Sequence, residues 1–470
     1  MGDERGMINS DVRRPSFLRS LMCFGSVMLI IVVGSVFYKV SMHVLLLTSI
    51  VWLSLNTLFL GYRFSDIKNM MNGGIAKGIG ACYIFILVGI VIAAYIESGT
   101  IASIVYYGLD FIHPAVFLPV GLLLTSFMSL AVGTQFGTVA TAGVILIGVG
   151  AAFGIPLPIV AGMIVSGASF GDKMSPVSET TNLAAVAAET DLYKHIKSML
   201  YTTIPTYIIC LILYSVIGLQ YSSGELSFDR ITNFQDAIEN NFEIGLITFI
   251  PVITLLTLSM KKVPAEPTMI ASALVAALIA MFQQDRSLIE ILNSFQNGYS
   301  ANTGYEPLDI LVNRGGIQSM MWTFSLALFA LVLGGILERV GYLDVLLKGL
   351  LNRVKDAFSL MAATIAAGVA SCLSTGDSYI STILTSQLFK IKYEDMKLHK
   401  YLLSRCVEES TTLVTPIIPW ALGGAFCAGT LGVPVLDYLP WAFLNYLNLI
   451  VSLGLAYMGF GIFRIKDEKL

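Results

Sequence analysis

The sequence contains few charged residues. Only 13% of its 470 residues are Asp, Glu, Lys or Arg, about half the share that is usual in a soluble protein, whereas 56% are hydrophobic. The net charge of −3 gives no indication of a nucleic-acid partner. The composition therefore predicts an integral membrane protein.

The sequence also lacks the patterns of disulfide, metal and cofactor sites. Its six cysteines show no CxxC spacing and lie in apolar surroundings, which is typical of small buried residues. The four histidines do not cluster at the spacing of metal ligands, so we expect no cofactor. No cleavage site of small residues follows the first apolar segment, so we expect that this segment is retained.

What the sequence does contain is a series of long apolar segments. They have few or no charges and roughly the length that a helix needs to cross the hydrocarbon layer. The clear ones are 21–38, 42–62, 81–95, 114–133, 202–220, 243–260, 268–282, 320–337, 358–373 and 446–463. We therefore predict an all-α polytopic protein of the cell membrane, with about 10 to 13 transmembrane segments.

A weak internal duplication relates the two halves of the chain. It rests on aligned hydropathy and on the spacing of glycine and proline more than on identical letters. The residues that align are Asn72 with Asn313, Gly74 with Gly315, Glu97 with Glu338, Gly108 with Gly349, Gly133 with Gly376, Pro176 with Pro419 and Tyr214 with Tyr457. The sequence therefore predicts two repeats.

The distribution of Lys and Arg indicates that the repeats have opposite orientations. The stretch 98–113 has neither residue, whereas its counterpart 339–356 has four, and other equivalent loops show the same exchange. Because Lys and Arg concentrate in cytoplasmic loops, equivalent loops should lie on opposite sides of the membrane. Inverted repeats are typical of secondary transporters, which bind their substrate near the midplane of the bilayer.

This interpretation divides the chain into five parts and places both termini in the cytoplasm. Arg13, Arg14 and Arg19 lie at one end, and Arg464, Lys466 and Lys469 lie at the other. The parts are a cytoplasmic tail 1–20, a first repeat 21–220, an extracytoplasmic linker 221–242, a second repeat 243–463 and a cytoplasmic tail 464–470.

Each repeat contains a glycine-containing stretch that predicts an interrupted helix or a re-entrant hairpin. In "LAVGTQFGTVATAG", 130–143, glycines flank Thr134 and Gln135. In the equivalent "CLSTGDSYISTILTSQ", 372–387, Asp377 takes the position of Thr134. Unwound backbone in a membrane must be buried in protein or line a wet cavity, so these stretches are candidates for a binding site.

A second interruption is predicted in "GASFGDKMSPVSETTNLA", 167–184. Pro176 removes an amide donor and Gly167 and Gly171 loosen the helix, so we expect the backbone to leave the helical path at 172–176. Freed carbonyls and side-chain oxygens are the ligands that a hard cation such as Na⁺ prefers. The side chains concerned are Asp172, Ser175 and Ser178.

The counterpart in the second repeat is "SRCVEESTTLVTPIIPW", 404–420. It places polar side chains at helical spacing on one face of an otherwise apolar helix. These side chains are Glu408, Thr411, Thr412 and Thr415.

Acidic residues deep in a bilayer cost roughly 3 kcal/mol each, so they are functional candidates by default. The candidates are Asp172, Asp377, Glu408 and Glu409. Structural alternatives remain open: Asp172 could pair with Lys173, Asp377 could cap a helix, and one of the two glutamates could belong to an ion pair. The hydroxyl groups could simply bond a carbonyl one turn back.

A carboxyl group shielded from water binds its proton more tightly than one in water. A cation and a proton can then compete for the same oxygen atoms. This competition is the simplest mechanism of proton/sodium antiport, with the site alternating between the two faces of the membrane.

Three motifs carry a resemblance to a known family. "GDKMSPVSETTNLA", "LYKHIKSMLYTTIP" and "VEESTTLVTPIIPW" resemble motifs of the NhaC family of sodium/proton antiporters, and the length and helix layout agree from end to end. The resemblance implies exchange of Na⁺, or Li⁺, for H⁺. The positions it implies for ion binding are Asp172, Ser175, Asp377, Glu408, Glu409 and Thr412, with Na⁺ at Asp172, Asp377, Glu408 and Thr412 and the proton on Asp172, Asp377 or Glu408.

Three alternatives remain open. The family resembled also includes malate/lactate exchangers coupled to Na⁺ and H⁺, and Lys173 could bind the carboxylate of such a substrate. An intramembrane aspartyl protease would use the two Gly-Asp pairs that end at Asp172 and Asp377, but these aspartates do not align in the duplication. A channel would need repeating polar rings. We therefore expect a transporter and no enzyme, with Na⁺, H⁺, small carboxylates and lipid as partners; a homodimer is left open.

Overall fold

The computed structural model describes residues 14–111, 113–221, 226–261, 263–351 and 354–465. Residues 1–13, 222–225 and 466–470, which include parts of the predicted tails and linker, lie outside the described residues. Within the described ranges the chain folds into helices, and the only β contact there is an isolated antiparallel bridge between Leu398 and Arg464.

The amino-terminal half contains eleven helices among the described residues. A π-helical turn, Val139–Gly143, separates two of them. They are α1 (Phe17–Val36), α2 (Met42–Leu58), α3 (Phe64–Glu97), α4 (Thr100–Phe111), α5 (Pro114–Val132), α6 (Gln135–Thr138), α7 (Val144–Ala152), α8 (Leu157–Met174), α9 (Glu179–Ala187), α10 (Leu192–Leu219) and α11 (Leu226–Glu239).

The carboxy-terminal half contains twelve further helices among the described residues. Short 3₁₀ turns occur at Leu246–Phe249, Thr415–Ile417 and Leu439–Trp441. The helices are α12 (Ile250–Met260), α13 (Ala265–Phe282), α14 (Leu288–Asn297), α15 (Glu306–Val312), α16 (Gly316–Val340), α17 (Tyr342–Leu351), α18 (Ala357–Thr375), α19 (Ser378–Asp395), α20 (Lys400–Thr411), α21 (Leu422–Leu431), α22 (Val435–Tyr438) and α23 (Phe443–Tyr457).

The prediction of an all-α polytopic membrane protein is confirmed. In the part of the chain that the structure describes, eight helices are long and apolar enough to cross a membrane, or ten if each of two bent pairs counts as one span. This number agrees with the lower end of the predicted range. The division into inverted repeats and the re-entrant hairpins stay predictions.

The longest helix shows why the predicted boundaries differ from the observed ones. The predicted segment 81–95 is part of α3, which begins at Phe64 because the Asp66 carboxylate accepts a 2.9 Å hydrogen bond from the Arg63 amide. A side chain at Gly74 would lie 2.1 Å from the Leu331 carbonyl oxygen of α16. Glycine therefore lets α3 and α16 pack closely along their length.

Two glycines that the sequence suggested would loosen a helix have a different role. Gly167 and Gly171 lie inside α8, which continues to Met174, and both face α5. A Cβ atom at Gly171 would lie 2.4 Å from the Ser126 carbonyl oxygen. These glycines therefore allow close packing of α8 on α5, and the helix ends three residues beyond Gly171, where the extended Ser175 precedes Pro176.

A charged contact holds the end of α9 against α19 and α20. Glu189, in the turn before α10, lies 3.1 Å from the Lys400 ammonium group and also pairs with Lys390. These two ammonium groups hold the pKa of the Glu189 carboxyl below its usual value. The contact joins the segment after Asp172 to the helices that carry Asp377 and Glu408.

Candidate cation-binding site

A cavity of about 690 Å³ lies where the ends of several helices meet. Its wall includes the turns between α5 and α6, between α8 and α9, and between α18 and α19. Four acidic side chains contribute to it, and Lys77 is the one basic side chain among the described residues that line it. The acidic residues are Asp172, Glu179, Glu266 and Asp377.

Asp172 lies in the last turn of α8 and is 8% exposed. Its Oδ1 accepts a 2.8 Å hydrogen bond from the Ser178 hydroxyl, and its Oδ2 accepts a 3.2 Å bond from Thr180. Ser178 also caps α9, so the chain that turns back after Pro176 brings both hydroxyls to the carboxylate. The Asp172 carboxylate is thus held in place by neutral donors.

Asp377 caps α19 and lines the cavity at the same time. Its Oδ1 accepts a 2.8 Å hydrogen bond from the Ile380 amide, as the structural alternative anticipated. The preceding Gly376 ends α18 with a left-handed φ of +67°, which favours glycine. Helix capping fixes the carboxylate and leaves part of it facing the cavity, so the two roles are compatible.

Thr134 and Gln135 also lie in the cavity wall. They follow Gly133, which ends α5 with a φ of +76°. A Cβ atom at Gly133 would lie 2.7 Å from a Val177 methyl carbon, so the turn between α5 and α6 packs on the segment that follows Asp172. The structure therefore brings the two stretches 130–143 and 167–184 to one place.

Five residues predicted to bind the cation are not among the described residues that line the cavity, and neither is Lys173. Ser175 donates a 2.8 Å hydrogen bond to the Leu130 carbonyl and ties α8 to α5. Thr411 donates to the Val407 carbonyl one turn back, the structural role that hydroxyls commonly have in such helices. The five are Ser175, Ser178, Glu408, Glu409 and Thr411. Thr412 does line the cavity, although its hydroxyl proton goes to the Glu408 carbonyl at 2.8 Å.

Glu408 belongs to a buried hydrogen-bonded group beside the cavity. Its Oε2 lies 2.6 Å from Nε2 of His195, and both side chains are fully buried. Its Oε1 accepts a 3.1 Å hydrogen bond from the Thr181 hydroxyl. Nδ1 of His195 lies 2.7 Å from the Ser404 hydroxyl.

The neighbouring glutamate, Glu409, contacts other side chains of the same buried region. One oxygen of Glu409 accepts a hydrogen bond from Thr202, and its Oε2 has no partner within the described ranges. Lys173 and Arg405 are each 1% exposed, and the charges of Glu409 and Arg405 act on the Lys173 ammonium group. The Lys173 Nζ lies 3.4 Å from Oδ1 of Asn448. The Glu409 carboxylate forms no ion pair with a lysine or arginine of the described residues, so the structural ion pair expected for one of the two glutamates stays a prediction.

Sequence reasoning did not single out several side chains of this region. His195 occurs in "LYKHIKSMLYTTIP", a motif that carries only the family resemblance. A histidine near the start of a long apolar helix is in itself a signal of a buried ionisable side chain. Lys77, Glu179 and Thr180 line the cavity. Lys77 is bonded to Glu338 at 2.5 Å, so its charge is already paired.

Comparisons with known proteins show which family the sequence matches. The model of the Na⁺/H⁺ antiporter family matches residues 16–181 and 167–460. The Na⁺/H⁺ antiporter NhaC of Alkalihalophilus pseudofirmus is 37% identical over 444 residues, which cover 94% of this chain and 96% of that protein. The NhaC of Bacillus subtilis is 35% identical over 433 residues, or 92% of this chain and 96% of that protein.

A further relative carries a different name. The malate-2H⁺/Na⁺-lactate antiporter of Bacillus subtilis is 34% identical over 460 residues, which cover 98% of both chains. The match of the family model and of these relatives extends over nearly the whole sequence. The chain belongs to the Na⁺/H⁺ antiporter family.

Proposed function

We propose that the protein is a secondary active transporter of the cell membrane that exchanges Na⁺, or Li⁺, for H⁺. The observation that carries this proposal is the acidic cavity. Four carboxylates contribute to its wall, and the one lysine among its described lining residues is paired with Glu338. Such a wall favours a cation over an anion.

In this proposal the Asp172 and Asp377 carboxylates bind the cation, and Thr134 and Gln135 complete the wall with neutral oxygens. Oxygen ligands suit a hard cation. The Asp172 carboxylate comes from the end of α8 and the Asp377 carboxylate from the start of α19. A relative movement of these helices would therefore change the site as a whole. Alternating access would then expose the cavity first to one side of the membrane and then to the other.

The exchange of a small organic acid is the second candidate. It is favoured by the similarity to a malate-2H⁺/Na⁺-lactate antiporter over 98% of both chains. The charges of the site weigh against it, because a malate or lactate carboxylate needs an unpaired positive group. Lys173, the residue suggested for that role, is directed to Asn448 and is influenced by Glu409.

We infer that the protein is a transporter and no enzyme, since its family consists of antiporters. Asp172 and Asp377 do line one cavity, as a protease dyad would require, but the family assignment leaves the aspartyl protease without support. The excess of Lys and Arg in one set of loops supports a cytoplasmic position for both termini.

The test is a transport assay in proteoliposomes that contain the purified full chain. An inward Na⁺ gradient should drive an outward movement of protons, reported by an internal pH dye, without malate or lactate. Choline chloride at equal concentration is the ionic control. A pH change that requires malate or lactate would contradict Na⁺/H⁺ exchange as the complete reaction and would favour the second candidate.

A further inference from the structure

We propose that the proton exchanged for the cation binds to the pair formed by His195 and Glu408, beside the cavity and separate from the cation. This inference rests on the proposed Na⁺/H⁺ exchange. It assigns the proton and the cation to two neighbouring sites, in place of competition for one set of oxygen atoms.

The geometry of the pair is that of a shared proton. Nε2 of His195 lies 2.6 Å from Oε2 of Glu408, and neither side chain is exposed. His195 can accept a proton that Glu408 releases without a movement of either side chain, because the two atoms are already at hydrogen-bonding distance. Histidine is the side chain whose charge changes most readily near neutral pH.

The Thr181 hydroxyl lies between the pair and the end of α8 that carries Asp172, and its single proton goes to one of the neighbouring oxygens at a time. Oγ1 of Thr181 lies 3.1 Å from Oε1 of Glu408 and 3.0 Å from the Asp172 carbonyl oxygen. The charge of Glu408 also acts on the Asp172 carboxylate. A proton on the pair adds one positive charge next to the site that binds the cation. In the weakly screening interior, the bound proton and the bound cation should weaken each other's binding.

Other charged side chains lie around the pair, and the proton on the pair changes the net charge of this buried group. The buried group contains two basic side chains, Lys173 and Arg405, and two acidic ones, Glu408 and Glu409. A proton added to the pair makes the formal charge of this group more positive by one. Of the helices packed against α10, α5 and α23 contain no acidic or basic residue, and tyrosine hydroxyls ordinarily titrate at higher pH. The charged groups on the others are Asp172 and Lys173 on α8, Glu179 on α9, and Lys400, Arg405, Glu408 and Glu409 on α20.

A route for the proton starts at the other side of the histidine ring. Nδ1 of His195 lies 2.7 Å from the Ser404 hydroxyl. His195 is in the first turn of α10 and Ser404 in the second turn of α20, close to helix ends that carry Lys194 and the partly exposed Lys400. The pair therefore lies between the cavity and a helix end that the sequence predicts to be cytoplasmic.

The experiment measures the affinity of the purified full chain for Na⁺ alone, by calorimetric titration with NaCl between pH 6 and pH 9. In the wild type, the apparent dissociation constant should rise up to about tenfold for each pH unit on the acid side, because a proton opposes the cation. In His195→Gln and in Glu408→Gln, Na⁺ should still bind at pH 9, and the rise toward acid pH should be at least threefold smaller over the same range.

His43→Gln is the matched control, because His43 contacts Ser325 outside the cavity and should keep the wild-type pH dependence. A wild-type pH dependence in both pair variants overturns the inference, and so does a flattening that appears only in Glu409→Gln. If neither pair variant folds, Ser404→Ala replaces them: a moved midpoint of the pH dependence supports the inference and an unmoved one overturns it. A wild type that binds no Na⁺ at any pH would instead remove the proposed function itself.

Discussion

The hydroxyl of Tyr379 donates a 2.9 Å hydrogen bond to Oε2 of Glu179. Tyr379 follows Asp377 by two residues, and Glu179 begins the helix that follows Asp172. Both side chains line the cavity. The bond thus joins α9 to α19. It keeps the carboxylates of Asp172 and Asp377, which are far apart in the sequence, on one cavity wall.

Replacement of Asp172 by Asn should abolish exchange and leave the protein folded. The Asn side chain can still accept a hydrogen bond from Ser178, but it lacks the charge that holds a cation. Loss of one charged partner in a buried site costs about 2 to 5 kcal/mol of binding, or roughly 30-fold or more in affinity. The measurement is the Na⁺-driven pH change in proteoliposomes.

Asp395→Asn provides the control for this variant, because Asp395 is exposed at the end of α19 and does not line the cavity. It should exchange like the wild type. Unchanged exchange in Asp172→Asn would show that this carboxylate is not part of the site.

Two substitutions of Asp377 should separate its capping role from its charge. Asn caps a helix about as well as Asp, whereas Ala costs about 1 kcal/mol of stability. We expect Asp377→Asn and Asp377→Ala to lose exchange to the same extent, and only the Ala variant to unfold at a lower temperature. Thermal unfolding in detergent and the proteoliposome assay measure the two effects. If Asp377→Asn exchanges normally, Asp377 is only a helix cap.

The sequence predicted those features that depend on local patterns. Long apolar segments indicated the helices, and the glycines at 133 and 376 indicated where α5 and α18 end. The acidic residues at 172 and 377 stood out because charge is expensive in a bilayer. Both of these acidic residues line the cavity.

Contacts between distant parts of the chain could not be predicted in this way. The position of His195 against Glu408 depends on how α10 packs on α20, which no local spacing encodes. The stripe from Glu408 to Thr415 does not lie on one helix, because α20 ends at Thr411 and Thr415 begins a separate 3₁₀ turn. Its members divide between the cavity and the interior contacts. A face of one helix can meet several neighbours, and the sequence does not say which.

Replacement of Lys173 by Met should destabilise the protein through the charge that it leaves behind. Lys173 is 1% exposed, and the charge of Glu409 acts on it. Removal of one of two opposite buried charges costs up to about 3 to 5 kcal/mol, because the other charge stays buried. The double variant Lys173→Met with Glu409→Gln should recover a large part of the loss. Thermal unfolding of the single and double variants measures this recovery, and an equally unstable double variant would contradict an interaction between these two charges.

A methyl group at Gly171 should separate α8 from α5 and thereby displace the Asp172 carboxylate. A Cβ atom there would lie 2.4 Å from the Ser126 carbonyl oxygen and 2.5 Å from the Leu130 amide nitrogen, and backbone atoms cannot move aside as a flexible side chain can. We expect Gly171→Ala to lower the unfolding temperature and to reduce Na⁺ affinity, because Asp172 is the next residue. Gly454→Ala is the matched control: nothing lies within 4 Å of a Cβ atom at that helical position, so the substitution should stabilise the helix by up to about 1 kcal/mol. A Gly171→Ala variant with the unfolding temperature and the Na⁺ affinity of the wild type would contradict the close contact, since such a contact has no room for an additional carbon atom.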